Sequence, residues 1–224
     1  MAQLRLIVGL GNPGAQYERT RHNVGADWVR RLAADYQIPL SSESKFKGEV
    51  GRGLIAGVDL RLLIPTTYMN LSGEAVGAIA RFYKIAPSEL LIAYDEMAFA
   101  PGLVRFKQGG GDNGHNGLKS VRAGLGTGDY PRMRMGVGHP GHKSLVTAYL
   151  TGQKMPVEEA RQVEEATWFP AAVVEDLVHG RWQQVMNVVH LDGKSAAQND
   201  DKHDDEKDAK KDDKGDGREQ TSEE

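Results

Sequence analysis

Two hydrophobic rhythms run along this chain, and together they predict its elements. Residues 4–10 are a short apolar run ending in glycine, the mark of a buried strand. In "VGADWVRRLAADYQI" the apolar positions fall at Val24, Trp28, Val29, Leu32 and Ala33, which is one face of a helix, and Asn23 is placed to cap it. "KGEVGRGLIAGVDLRLLIPTTY" predicts two strands around a turn at Gly57–Asp59. "SGEAVGAIARFYKI" returns to helical spacing with Ser72 as candidate cap, and "ELLIAYDEM" is a buried strand carrying Asp95 near its end. "GLVRFKQGGG" and "RMRMGVGHPG" predict further strands, "HNGLKSVRAGLG" a short helix between them, and residues 156–190 a helical segment.

Strands and helices alternate through the body, which predicts a single α/β domain. The hairpin makes the sheet mixed rather than purely parallel. The expected architecture is a mixed, twisted β-sheet flanked by helices over residues 1–193, followed by a charged tail at 194–224.

Charge sharpens this division. The formal net charge is −3, but residues 194–224 hold 12 acidic and 7 basic residues, leaving the preceding body at +2. The tail lacks aliphatic and aromatic core-formers, so it is expected to be disordered and solvated. With no cysteine, disulfides, thiolate metal sites and cysteine nucleophiles are excluded. The N-terminal apolar run is too short for a signal peptide, and nothing reaches membrane-spanning length. A cytoplasmic protein is expected, and a monomer, since no segment reads as an obligate apolar interface.

Gly9-Leu10-Gly11-Asn12-Pro13-Gly14 matches the dinucleotide-binding pattern G-x-G-x-x-G. That fingerprint requires the third glycine to open a helix whose free amides hold a pyrophosphate. Here Pro13 removes a donor, and "AQYERTRHN" intervenes before any helical pattern. Asp35 stands at about the spacing expected of a ribose-binding acid, but it ends a helical pattern rather than a strand. The context contradicts a nicotinamide site.

The turn does present Asn12 at the C-terminal end of a strand, where α/β sheets place ligands. Bracing its own turn is the competing role. Similar polar residues recur at strand ends and loop starts: His22 and Asn23, Met69 and Asn70, Asp95, and His115 and Asn116. Singly, each is as well explained by structure. Together they contain a base, an orienting carboxylate and several amides. An imidazole of pKa about 6.5 can take a proton from water, a carboxylate on its other nitrogen fixes the tautomer, and asparagines can hold an amide or an oxyanion. No G-x-S-x-G or H-E-x-x-H motif offers a serine nucleophile or a metal. Water activated by histidine is the simplest scheme.

"LIVGLGNPGAQYERTRHNVG", "PTTYMNLSG", "LLIAYDEMAFAPG", "GGGDNGHNGLKSV" and "RMRMGVGHPG" resemble, in order, the signatures of the bacterial peptidyl-tRNA hydrolase family. The resemblance runs from about residue 4 to residue 190. It implies a phosphorylase/hydrolase-like fold and a cofactor-free, metal-free enzyme that cleaves the ester between a peptide and the 3′-terminal ribose of tRNA. It implies His22 as general base and Asp95 as its orienter. Asn12 and Asn70 would contact the peptide, and Asn116 would place the water or the oxyanion. Tyr17 would lie by the terminal nucleotide, Met69 and His115 would line the cleft, and Lys107 with Arg134 would clamp the tRNA 5′-phosphate.

Residues 102–143 carry seven basic residues against Asp112 and Asp129. Alternation places Arg105 and Lys107 on one strand face, and likewise Arg132 and Arg134. Such faces suit phosphates, although a solvated basic face reads the same without the resemblance. Two departures stand out. The family's D-E-L-D-L-P-P-G is here "DEMAFAPG", with Ala98 for the second aspartate and Ala100 for a proline, which is expected to alter the loop's stiffness and the field around Asp95. Asp112 puts an acid close to the expected phosphates, with a slight loss of RNA affinity expected. A non-catalytic RNA-binding protein on the same fold is the alternative, and the intact set Asn12, His22, Asn70, Asp95 and Asn116 argues against it.

Overall fold

The computed structural model describes residues 2–190. The boundary at 193 and the charged tail lie outside the described residues. The strands are β1 (Leu6–Gly9), β2 (Ser41–Glu43), β3 (Gly48–Ile55), β4 (Val58–Pro65), β5 (Leu90–Glu96), β6 (Val104–Gln108) and β7 (Pro131–Gly136). The helices are α1 (Val24–Asp35), α2 (Ser72–Tyr83), α3 (Asn116–Leu125), α4 (Val146–Thr151), α5 (Val157–Ala166), α6 (Ala171–Val178) and α7 (Trp182–Val189).

The seven strands form one sheet in the order β2-β3-β4-β1-β5-β7-β6. The central four, β4, β1, β5 and β7, run parallel. β2 and β3 join β4 as an antiparallel ribbon, and β6 pairs antiparallel with β7 at the other edge. The sheet is therefore mixed, as the hairpin predicted. Its turn lies at Ala56-Gly57, both at positive φ (48° and 79°), rather than at Gly57–Asp59.

Period-two side chains divide the core into two layers. Leu6 and Val8 of β1 with Leu90, Ile92 and Tyr94 of β5 pack against Val76 and Ile79 of α2 and Leu118 and Val121 of α3. Ile7, Leu62, Leu91 and Ala93 face the opposite side, covered by Trp28 and Val29 of α1, Val163 of α5, Leu177 of α6 and Trp182 of α7. Burial on both faces explains why the central strands read as continuous apolar runs rather than as alternation. The segment 156–190 resolves into three helices, α5, α6 and α7. The short β2 and the six-residue α4 had no periodic signal long enough to predict them.

The glycines of the apparent fingerprint have packing roles. A Cβ on Gly9 would lie 2.3 Å from the carbonyl oxygen of Gly25, and one on Gly25 would lie 2.3 Å from that of Ala93. This glycine pair lets α1 sit directly on β1 and β5. Gly14 has φ +102°, and after it comes a 3-10 turn (Ala15–Tyr17), with α1 beginning only at Val24. No α-helix opens at the third glycine, so the nucleotide geometry is absent. Gly25→Ala is expected to destabilise the protein by about 1–3 kcal/mol, because the obstructing atoms are backbone and must shift. Thermal unfolding of the variant checks it, and an unchanged Tm would contradict this packing.

Candidate active site

The C-terminal ends of the parallel strands converge on one cleft of about 670 Å³. From β1 the chain proceeds to β4 on one side and then to β5 on the other, so the crevice outside these strand ends is the topological switch point. Asn12 follows β1, Met69 and Asn70 follow β4, and Asp95 is the penultimate residue of β5. His115 and Asn116 open α3. All of these line the cleft together with His22. The residues that sequence alone left separate are thus brought to one place.

His22 lies in a 3-10 turn, Arg21–Asn23, immediately before α1. The turn is anchored from outside. The Arg21 guanidinium is buried, donates to Glu159 of α5 at 2.6 Å and stacks over Tyr149 of α4 at 3.9 Å. Nδ1 of His22 is 2.8 and 2.9 Å from the two carboxylate oxygens of Asp95. An ionised carboxylate only accepts, so the imidazole carries its proton on Nδ1 and keeps Nε2 as the basic nitrogen. Burial opposes charging of His22, but the Asp95 carboxylate outweighs it and raises the imidazole pKa above its ordinary value. Burial likewise opposes ionisation of Asp95, yet His22 and His115 together hold its carboxyl well below the usual range.

His115 has a fixed orientation too. Its Nδ1 accepts from the backbone N–H groups of Gly117 (3.1 Å) and Leu118 (3.3 Å), capping α3, and its Nε2 lies 3.0 Å from Asp95 Oδ1. His22, Asp95 and His115 are residue types that bind metals, and their donor atoms lie within 4.8 Å of one another. The hydrogen bonds do not suit an ion. With Nδ1 committed as an acceptor, the only ring proton of His115 is on Nε2, the atom a metal would need. The trio is a hydrogen-bonded cluster centred on Asp95.

Asn12 is braced, and the bracing sets its chemistry. Its backbone N–H donates to Asn23 Oδ1 (2.8 Å), and Asn23 Nδ2 donates back to its carbonyl (3.0 Å). Its own Oδ1 accepts from the Met69 N–H (2.8 Å), tying the β1 turn to the β4 turn. With Oδ1 held by Met69, Nδ2 is the group for which the described residues give no partner. Asn23 occupies the cap position of α1, but its side chain makes no capping bond, being spent on Asn12. Ser72 is the first residue of α2 rather than its cap, and its Oγ donates to the Met69 carbonyl (2.9 Å).

With this geometry in place, the comparisons with known proteins agree. A family model described as peptidyl-tRNA hydrolase matches residues 6–199. The chain belongs to the peptidyl-tRNA hydrolase family. Peptidyl-tRNA hydrolase from a Marinomonas strain is 49% identical over 191 residues, spanning 85% of this chain and 98% of that protein. The Neisseria gonorrhoeae peptidyl-tRNA hydrolase is 44% identical over 187 residues, spanning 84% and 97%. The crystal structure of peptidyl-tRNA hydrolase from Acinetobacter baumannii aligns with a TM-score of 0.81 at 44% identity, covering 84% of this chain and 95% of that one.

Three residues that the peptidyl-tRNA hydrolase resemblance assigns lie outside the cleft lining. Tyr17 packs edge-on against Tyr68, centroids 6.4 Å apart, and Tyr68 is the exposed aromatic that does line the cleft. Arg134 sits opposite Arg105, and Lys107 opposite Arg132, so all four cations share one face of β6 and β7. They are not equally presented. Arg132 is buried and donates to the carbonyls of Gly110, Gly111 and Gly128, so it shapes the glycine-rich loop instead of offering a phosphate contact. Arg134 is nearly buried, paired with Glu96 at 3.1 Å and stacked over Phe99 at 4.4 Å. The aliphatic end of Lys107 lies along Gly110.

The Ala98 N–H donates to Glu96 Oε1 (3.1 Å), completing the Glu96–Arg134 pair. Backbone bonds tie the loop to the end of β7, Gly136 N–H to Leu103 O (2.8 Å) and Gly138 N–H to Phe99 O (2.8 Å), beside the bond from Val137 N–H to Glu96 O of β5 (3.1 Å). Asp112 pairs with Arg122 at 3.2 Å, which offsets its charge, and its carbonyl accepts from His115 N–H at 2.7 Å. His139 and Lys143, preceding α4, and Val146 and Leu150 on it also line the cleft, a placement that had no sequence signal. Nor did the brace role of Asn23, which a cap pattern explains equally well.

Proposed function

We propose that this cleft hydrolyses the ester joining a peptide to the 3′-terminal ribose of tRNA, with water as the nucleophile. The observation that carries the reading is the buried Asp95–His22 pair at the strand ends, in a chain of this family. His22 Nε2 takes a proton as water attacks the ester carbonyl, and Asp95 stabilises the imidazolium that forms. The amides of Asn70 and Asn116, which also line the cleft, suit the attacking water or the developing oxyanion. Collapse of the tetrahedral intermediate returns the His22 proton to the departing ribose oxygen. The scheme uses only protein groups and water.

Asn12 supports a basis for selectivity. Its free Nδ2 can donate to the acyl carbonyl of a peptide or an N-blocked amino acid. A free aminoacyl ester presents an ammonium instead, which cannot accept. Leaving a polar group unmatched costs about 1–3 kcal/mol, so N-acetyl-aminoacyl-tRNA is expected to be cleaved about tenfold to a hundredfold faster than the free ester. Equal rates would remove Asn12 from this role. On the tRNA side, Lys107 and Arg134 are the proposed phosphate contacts. Contacts of that kind are independent of base sequence, which fits an enzyme serving many tRNAs. An incoming phosphate would compete with Glu96 for Arg134.

The reading is tested by incubating the protein with N-acetyl-aminoacyl-tRNA and a chelator while following acid-precipitable label. Rapid release is expected. Tight tRNA binding with no release would instead favour a binding protein.

A further inference from the structure

We propose that His115 is a positioning residue that sets how much negative charge Asp95 presents to His22, through a tautomer locked by the first turn of α3. This rests on the reading of His22 as the base.

The lock follows from the hydrogen bonds. The first amides of a helix have no partner within it and need an acceptor. Gly117 and Leu118 take His115 Nδ1 as theirs, so that nitrogen carries no proton. Nε2 must then be the N–H donor, and it points at Asp95 Oδ1 at 3.0 Å. Tyr94 packs edge-on against the ring with centroids 5.1 Å apart, holding its plane. A proton on Nδ1 would set a third N–H against these two amides, so the helix fixes which ring nitrogen faces Asp95.

Asp95 consequently serves two imidazoles. His22 Nδ1 bridges both of its oxygens, and His115 shares Oδ1. A hydrogen bond donated to a carboxylate spreads and stabilises its charge. Charge committed to His115 is unavailable to stabilise the His22 imidazolium. His115 thus restrains the rise in His22 basicity that a carboxylate held by one donor would cause. A base must be unprotonated to act, so this restraint preserves its working form at neutral pH.

The other charged groups around His22 are largely offset. Arg21 in its own turn pairs with Glu159 of α5, and Glu96 on β5 pairs with Arg134. Asp27 on α1 pairs with Arg30 near the surface. Tyr149 on α4 lies under Arg21, and His139 and Lys143 line the cleft. Among these groups, His115 is the one that shares Asp95 with His22.

His115→Asn and His115→Ala separate this role from helix capping. Asparagine can still cap α3, but it is too short to reach Asp95 as well. Alanine loses both functions. The His22 ring is titrated by NMR in the wild type and both variants, its signal assigned from its loss in His22→Ala, and kcat/KM is measured against pH. In both variants the His22 pKa and the acid limb are expected to rise by about one unit. Activity should fall about tenfold on the acid side and recover above the limb. An unchanged His22 pKa in the folded His115→Asn protein overturns the inference and leaves His115 as a cap. A risen His22 pKa with an unmoved acid limb upholds the inference and removes His22 as the base.

Discussion

Replacing His22 with alanine is expected to lower turnover by about 10²–10⁴-fold, the usual contribution of a general base, while tRNA affinity stays nearly unchanged. The two effects separate because the groups are separate. His22 lies in the cleft, whereas the cations proposed to hold phosphates stand on β6 and β7 at the sheet edge. The fold should survive. The turn around residue 22 is held by Arg21 on Glu159 and Tyr149, by Asn23 on Asn12, and by the Met155 N–H on the Arg19 carbonyl at 2.8 Å. Asp95 also retains His115 as a donor. Single-turnover cleavage of N-acetyl-aminoacyl-tRNA, with filter binding alongside, measures both quantities. Near-normal turnover would remove the mechanism.

Asp95→Asn is expected to cost on the order of 10³–10⁴ in turnover, through the wrong tautomer of His22. Three close contacts from two imidazole N–H groups converge on this carboxylate. An amide has one oxygen to accept them and places its NH₂ against the remainder. His22 can answer by moving its proton to Nε2, and then it cannot serve as a base. The substitution also removes a titration linked to stability. The carboxyl is held below the ordinary range in the folded state, so its ionised form stabilises the protein above the unfolded carboxylate pKa of about 3.9, and that contribution is lost as pH falls through the folded value. Acid unfolding of Asp95→Asn should therefore lack this part of the wild-type pH dependence. Turnover within tenfold of wild type would show that Asp95 does not set the tautomer.

Parts of this architecture are legible in local pattern. The strands β1, β4 and β5 are apolar runs because both their faces are covered, and α1 and α2 keep helical periodicity because one face meets the sheet. Where a local signal has two physical uses, pattern does not choose between them. Asn23 stands at the cap position of α1, yet its side chain is drawn to the turn after β1, and Ser72, which reads as a cap, is the first residue of α2 and bonds back to Met69. Arg132 and Arg134 alternate as a basic face should, but glycine-loop carbonyls and Glu96 engage them. His115 reads as one more polar loop residue until α3 begins directly after it and takes one of its nitrogens.

By itself the sequence determined the α/β class, the order of most elements and, through five ordered motifs, the family and the residues to examine. Class and element order depend on local periodicity, which the chain carries explicitly, whereas the family came from the resemblance of its motifs. The tertiary structure alone decided the directions of hydrogen bonds. It assigned the acceptor of Asn12 to Met69, the two imidazoles to one carboxylate, and Arg134 to Glu96. Each of those choices is made between groups far apart in the chain, where burial removes water as a partner and leaves each donor only the acceptors that folding brings within reach.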